Sequence, residues 1–411
     1  MGNCGECRRR FRRYRRCGAN APSPVCVSGN CFDIEILMSP TPPRIEPLDL
    51  SRLKVLPLER RETLTRVGEI LVDPDSPPPA VPPAIAATIS ECAARMRAAR
   101  RNGAAIMLIY GAHLLRNGAA AILERMMANG WLSHLATNGA GTIHDWEYAW
   151  FGGSTESVEM NVARGTFGTW DETATNIHRA IMAGALDGLG YGRALGRYIA
   201  EDGADLPSVE SLRALIVAAP DDPSTGARVD LLRAMLSQNW PAGRVAVRHA
   251  WKEASILAQA YRHGIPVTVH PGIGYDIISN HPVFSGAAIG RAAEVDFKWF
   301  GGAVERLDGG VALSVGSAIM GPQVFEKSLS CVNNLRLQAG RPTVHDHAIY
   351  VVDLQDGGGW DWSQGEPPKT NPAYYLRFCK SFSRMGGPMR YLQCDNRVFI
   401  HRLWAELRDA V

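Results

Sequence analysis

Short apolar runs of five to seven residues recur along the chain, separated by turns marked with glycine or asparagine and by stretches whose apolar positions repeat at helical spacing. Ala104–Tyr110 (AAIMLIY) is the first such run and predicts a strand buried on both faces. Upstream, Ile85, Ile89, Cys92 and Met96 predict an amphipathic helix over Ala84–Arg101. Downstream, Asn117 is a candidate N-cap for a helix carrying Ile122, Leu123, Met126 and Met127, closed by Gly130. Further strands are predicted at Leu132–Thr137, Pro266–His270, Val311–Val315, Ala348–Leu354 and Met389–Gln393. Residues 171–263 read as largely helical, with one helix expected over Val245–His263 and a stop at Gly264. Strands separated by helices predict an α/β fold with a Rossmann-like, doubly wound, mostly parallel sheet.

Proline usage changes the picture at the N-terminal side. Eleven of the 26 prolines fall between residues 40 and 83, which reads as an extended approach segment. The domain expectation is an arm over residues 1–45, rich in cysteine, arginine and proline, followed by a single α/β domain over 46–411.

The 411-residue chain has a net charge of +3, and that total is uneven. Seven arginines against one glutamate give residues 1–17 a charge of +6, so the rest of the chain is slightly acidic at −3. A nucleic-acid-binding body is not indicated by such a distribution. Five of the nine cysteines lie within the first 31 residues and the other four are scattered, which opposes a disulfide-stapled body and points to a reducing compartment. Without an apolar stretch behind the arginine run, a secretory signal is not expected, nor is any membrane span, and the expected location is the cytoplasm.

The predicted strands share one property. Their carboxyl ends concentrate glycine and polar residues: Gly111-Ala112-His113, Asn138-Gly139-Ala140-Gly141, the His270–Asp276 loop, Gly316-Ser317, Asp353–Gly359 and Asp395-Asn396. In open α/β sheets this rim is where ligands bind, and glycine lets backbone approach a phosphate. Neither GxGxxG nor the P-loop pattern is present.

At these loops the sequence resembles the deoxyhypusine synthase family, through Leu108–Gly118, Leu135–Gly141 with Asp145 after it, Gly264–Val267 leading to Asp276, Val311–Ser317, Ala348–Val351 and Tyr391–Phe399. The resemblance implies NAD as cofactor, held by Gly111, Ala112, His113, Thr137, Asn138, Gly139, Asp276, Gly316, Ser317 and Asp395. It further implies an imine-forming lysine at Lys380, polyamine contacts from Asp353, Asp356 and Phe378, and transfer of an aminobutyl group from a polyamine such as spermidine to an acceptor amine by a homotetramer. A lysine becomes nucleophilic through desolvation or neighbouring cations, and Lys380 stands between Phe378 and Phe382 with Arg377 and Arg384 nearby. The Asp353–Asn371 loop, with three consecutive glycines, would suit a lid. Several positions depart from the family: Phe378 replaces a tryptophan, Tyr374 an acid, Pro322-Gln323 a histidine pair, and Ile143-His144 an acidic pair.

Two alternatives stand beside this reading. His270, Asp276 and His345 are suitable residue types for a metal-dependent hydrolase, and a non-catalytic NAD-binding protein would need only the rim loops. A zinc knuckle built on Cys4 and Cys7 lacks a second CxxC.

Overall fold

A computed structural model describes residues 45–408, together with a two-residue antiparallel ladder pairing Cys26–Val27 with Asn30–Cys31. The chain divides into two units, Met1–Leu48 and Asp49–Val411. Apart from that ladder, the expected arm and its zinc knuckle lie outside the described residues.

The second unit is built on six parallel strands: β1 (Ile106–Tyr110), β2 (His134–Asn138), β3 (Val267–His270), β4 (Val311–Val315), β5 (Ala348–Asp353) and β6 (Met389–Gln393). Their order across the sheet is β6-β5-β4-β1-β2-β3. All five neighbouring pairs are parallel, with Val315 beside Tyr110 and Val352 beside Val315 at the carboxyl ends. The central strands are fully buried, so their side chains feed two cores, one on each face. Leu108, Tyr110, Leu135, Leu313 and Tyr350 point to one face, against α1 (Pro83–Arg101) and α3 (Ala120–Ala128). Met107, Ile109, Ala312 and Val351 point to the other, against Phe300, Phe325 and Phe382. The doubly wound α/β fold read from the sequence is the observed one.

Three local expectations are corrected. Asn117 closes the short helix α2 (Ala112–Arg116) instead of opening the next, because the chain already turns helical at Ala112, directly after β1. Val245–His263 is not one helix. Gly243–Ala246 pairs antiparallel with Gly203–Leu206, and helical structure resumes with a 3-10 turn at Lys252–Ala254 and then α7 (Ile256–Arg262), where the Ser255 hydroxyl accepts from Ala258 N–H. The proline-rich stretch is more than an approach: Leu58, Arg61 and Val67 are buried, and Thr65–Arg66 pairs with Gly153–Ser154.

Among the described residues, no helix is long and apolar enough to cross a membrane.

Candidate functional site at the carboxyl rim of the sheet

The strand order reverses between β1 and β4: from β1 the chain builds outward to β2 and β3 on one side, then returns to start β4 on the other. At such a switch point the loops leaving two adjacent strands part in opposite directions and leave a crevice. Here the two loops begin with Gly111 and Gly316. A Cβ on Gly111 would lie 2.0 Å from the carbonyl oxygen of Gly316, so the backbones meet where no side chain fits. Gly316 has φ +61°, a left-handed conformation that favours glycine, and a Cβ there would lie 2.3 Å from Asn396 Nδ2.

The polar groups around this crevice are fixed by the elements that follow each strand. Asn138 caps α4 (Gly139–Phe151) by accepting from Gly141 N–H at 2.9 Å. Thr137 donates to the carbonyl of Tyr110 at 3.0 Å, tying β2 to β1. Ser317 Oγ accepts from Gly321 N–H at 3.1 Å, opening α9 (Met320–Gln338). Asp395 accepts from Val398 N–H at 3.0 Å in the first turn of α11 (Asn396–Arg408). Among the buried side-chain atoms without a hydrogen-bond partner are the Tyr110 hydroxyl, at the end of β1, and Asn396 Oδ1. Asn396 was read from the sequence only as half of the Asp395-Asn396 rim pair, not among the expected cofactor residues. Its glycine contact is purely tertiary.

Asp276 is buried in the loop after β3, where its Oδ2 accepts from Gly272 N–H at 2.7 Å. Desolvation pushes its carboxyl up to about 6, with the Gly272 hydrogen bond opposing. Asp145, on α4, is driven up to about 7 by burial while it accepts from the Ser255 hydroxyl and from Ile256 N–H at the start of α7. Burial and the nearby Asp145 carboxylate raise Tyr110, which stays a neutral phenol.

All ten expected cofactor residues therefore lie at the carboxyl ends of β1, β2, β4 and β6 or in the loop after β3, and Asp353 and Asp356 lie at and just beyond the end of β5. The acids of the β5 loop are occupied locally. Asp353 accepts from Gln355 N–H and Asp356 from Gly358 N–H, both at turns, and Trp362 is buried, pinning the expected lid to the core. Phe378 is buried on α10 (Arg377–Phe382), its ring centroid 6.0 Å from that of Tyr391. The Lys380 ammonium lies 3.3 Å from the Tyr374 ring centroid and 3.5 Å from Glu366 Oε1, an ordinary compensated cation.

The metal alternative does not assemble. His270 ends β3 at the carboxyl rim, whereas His345 precedes β5 at the opposite edge, where it hydrogen-bonds the Thr343 carbonyl. His270 is instead a core residue, edge-on to Phe300 and 3.2 Å from Thr268 Oγ1, and burial lowers it to about 4. Among the described residues, no group of three histidine, cysteine or acidic side chains could hold a metal ion.

No family model matches the chain, and no curated protein matches it. Solved structures do. One is AgrE in ternary complex with ornithine and NAD+, at 13% identity and TM-score 0.40, covering 81% of this chain and 34% of that one. A second is ArgZ, an arginine dihydrolase from the ornithine-ammonia cycle in cyanobacteria, at 13% identity and TM-score 0.39, covering 80% and 32%. A third is a conserved putative LOR/SDH protein from Methanococcus maripaludis, at 14% identity and TM-score 0.38, covering 83% and 73%. The chain spans about a third of the length of the first two.

None of the three is a deoxyhypusine synthase, and the family assignment drawn from the sequence is corrected on that finding. With it go aminobutyl transfer through a Lys380 imine, the polyamine donor, the acceptor amine and the tetramer expected by resemblance.

Proposed function

We propose that the chain binds NAD across the crevice between β1 and β4 and works as an NAD-dependent enzyme on a small molecule. One observation carries this reading: the strand order reverses where Gly111 and Gly316 face each other backbone to backbone. The residues present fit such a ligand. The glycine pair leaves the loops without side chains at their closest approach, and the buried, unbonded Asn396 Oδ1 beside them is an acceptor awaiting a donor. The solved structure of AgrE with NAD+ accords with the choice of cofactor. When bound, NAD supplies a hydride acceptor. This chain's part is to hold and orient: Gly111, Gly316 and Ser317 would line the phosphate-bearing portion, Asn138 and Asp276 offer oxygens to hydroxyl groups, and Asn396 fixes an amide or hydroxyl donor.

Calorimetric titration of the full chain with NAD tests the reading. Saturable binding below ~1 mM, within the range in which enzymes hold small ligands, and its loss in Gly316→Val are expected. Absence of binding by NAD in the intact, folded chain overturns it.

A further inference from the structure

Three basic side chains converge beside the rim at a place the nucleotide reading does not use. Arg61, whose side chain is 1% exposed, donates from Nη1 to Glu147 Oε1 at 2.7 Å and from Nε to Thr63 Oγ1, while its Nη2 is buried with no hydrogen-bond partner. Arg116 ends α2; its Nε is also buried without a partner, and it forms no ion pair with any described residue. The third is His144, half-buried on α4, the helix against which α2 packs.

Hydrogen bonding fixes the tautomer of His144. The Ser154 hydroxyl donates to Glu147 Oε2 at 2.5 Å and also lies 2.6 Å from His144 Nδ1. A hydroxyl has one proton, and here Glu147 receives it, so Nδ1–H is the donor to Ser154. The neutral ring thus presents its lone pair at Nε2, which makes no hydrogen bond with the described residues. Glu147 also accepts from Thr173 at 2.9 Å, so its carboxylate is fully engaged. Burial lowers His144 to about 4; Glu147 opposes this, and Arg116, Arg61 and His113 add to it.

A guanidinium keeps its charge at any working pH, and buried N–H groups without partners are costly. We propose that Arg61, Arg116 and His144 form a receptor for an oxyanion, the carboxylate or phosphoryl group of a small-molecule substrate. This deepens the nucleotide reading by naming the charge of the second ligand, and rests on that reading only for its place in a reaction. The anion accepts from Arg61 Nη2 and Arg116 Nε. Its charge reverses the field at His144, which takes a solvent proton on Nε2 and donates it to the anion, while Nδ1–H stays directed through Ser154 to Glu147. The ionisable groups facing His144 are Arg61, His113, Arg116, Glu147 and Tyr148, whose ring lies 6.4 Å away. Anion binding is therefore coupled to proton uptake and weakens as pH rises past the bound-state value.

The test is an NMR titration of the full chain labelled with ¹⁵N-histidine, His144 being assigned with His144→Gln. Acetate and inorganic phosphate are added separately, each with and without NAD, at ~10 mM, above the millimolar constants of weak small-molecule binding. The free chain should show His144 as the Nδ1–H tautomer at pH 7, and Ser154→Ala should release that preference. In a titration run down from pH 7 to pH 3, either anion should raise the midpoint of His144 from about 4 by about one unit, a tenfold linkage, so that its imidazolium appears near pH 5 where the free chain is still mostly neutral. Arg116→Gln should abolish the effect. Response to acetate alone assigns a carboxylate, and response to phosphate alone a phosphoryl group. An unmoved His144 in a chain that still binds NAD overturns the receptor alone, as does a response that survives Arg116→Gln. An anion response in a chain that fails to bind NAD overturns the nucleotide reading and leaves the receptor standing.

Discussion

Asp276 occupies the space that a side chain on Gly139 would need: a Cβ there would lie 2.0 Å from Oδ2 and 2.6 Å from Oδ1 of the carboxylate. The last loop of the β3 side is thus locked onto the first residue of α4, and glycine at position 139 follows from contact rather than from backbone dihedrals. Gly139→Ala should destabilise the fold by about 1–3 kcal/mol, the usual result of overpacking. In an Asp276→Ala background the same change should cost much less. A double-mutant cycle by urea unfolding measures the coupling, and additive single effects would contradict the contact.

The same carboxylate predicts a pH dependence. Its folded value of about 6 stands above the ordinary carboxyl value of 3.8, so between the two the folded chain holds a proton that the unfolded chain has lost. The contribution to stability is complete below the unfolded value and disappears as pH rises through about 6, a swing of at most about 3 kcal/mol. Asp145 and Asp296, both pushed up to about 7 by burial, act in the same direction. Asp276→Asn keeps an acceptor for Gly272 N–H and should flatten the slope. Urea midpoints at pH 4.5 and pH 8 should differ less in the variant than in the natural chain.

Arg61 and Glu147 form an ion pair in which each side chain is 1% exposed. Removing one partner of a buried pair strands the other, at a cost of about 3–5 kcal/mol. Glu147→Ala should therefore lower the melting temperature far more than exposed Lys298→Ala, where the pair with Glu294 is solvent-screened. Differential scanning calorimetry of the two variants decides this.

The strands were legible because burial on both faces writes five-residue apolar runs, Ile106–Tyr110 and Val311–Val315 being the clearest. Gly243–Ala246 was not legible as a strand: it is largely exposed and pairs with a segment some 40 residues earlier, so neither alternation nor an apolar run marks it. The rim loops were visible as glycine-rich strand ends, yet strand order, which turns a rim into a crevice, is a tertiary property. Arg61, Glu147 and Ser154 were missed altogether. They are brought together by the pairing of Thr65–Arg66 with Gly153–Ser154, across roughly 90 residues, and no local pattern encodes that contact. Lys380 shows the converse error, since its aromatic neighbours in sequence suggested desolvation while Glu366, 14 positions earlier, supplies its counter-charge.

That placement yields the last prediction. Lys380 is held by Glu366 and by the face of Tyr374, and Glu366 also receives two hydrogen bonds from Arg384, at 2.6 and 2.7 Å. Lysine is therefore one of two cations on a single carboxylate, and Arg384 keeps the acid neutralised when the lysine is removed. Lys380→Ala should leave both the melting temperature and NAD affinity close to those of the natural chain. Arg384→Ala should be the more disruptive of the two, because it breaks the bidentate contact that ties the turn after α10 to the β5 loop. Thermal unfolding with and without NAD distinguishes the cases, and loss of NAD binding in Lys380→Ala alone would move this lysine from the surface of α10 into the site.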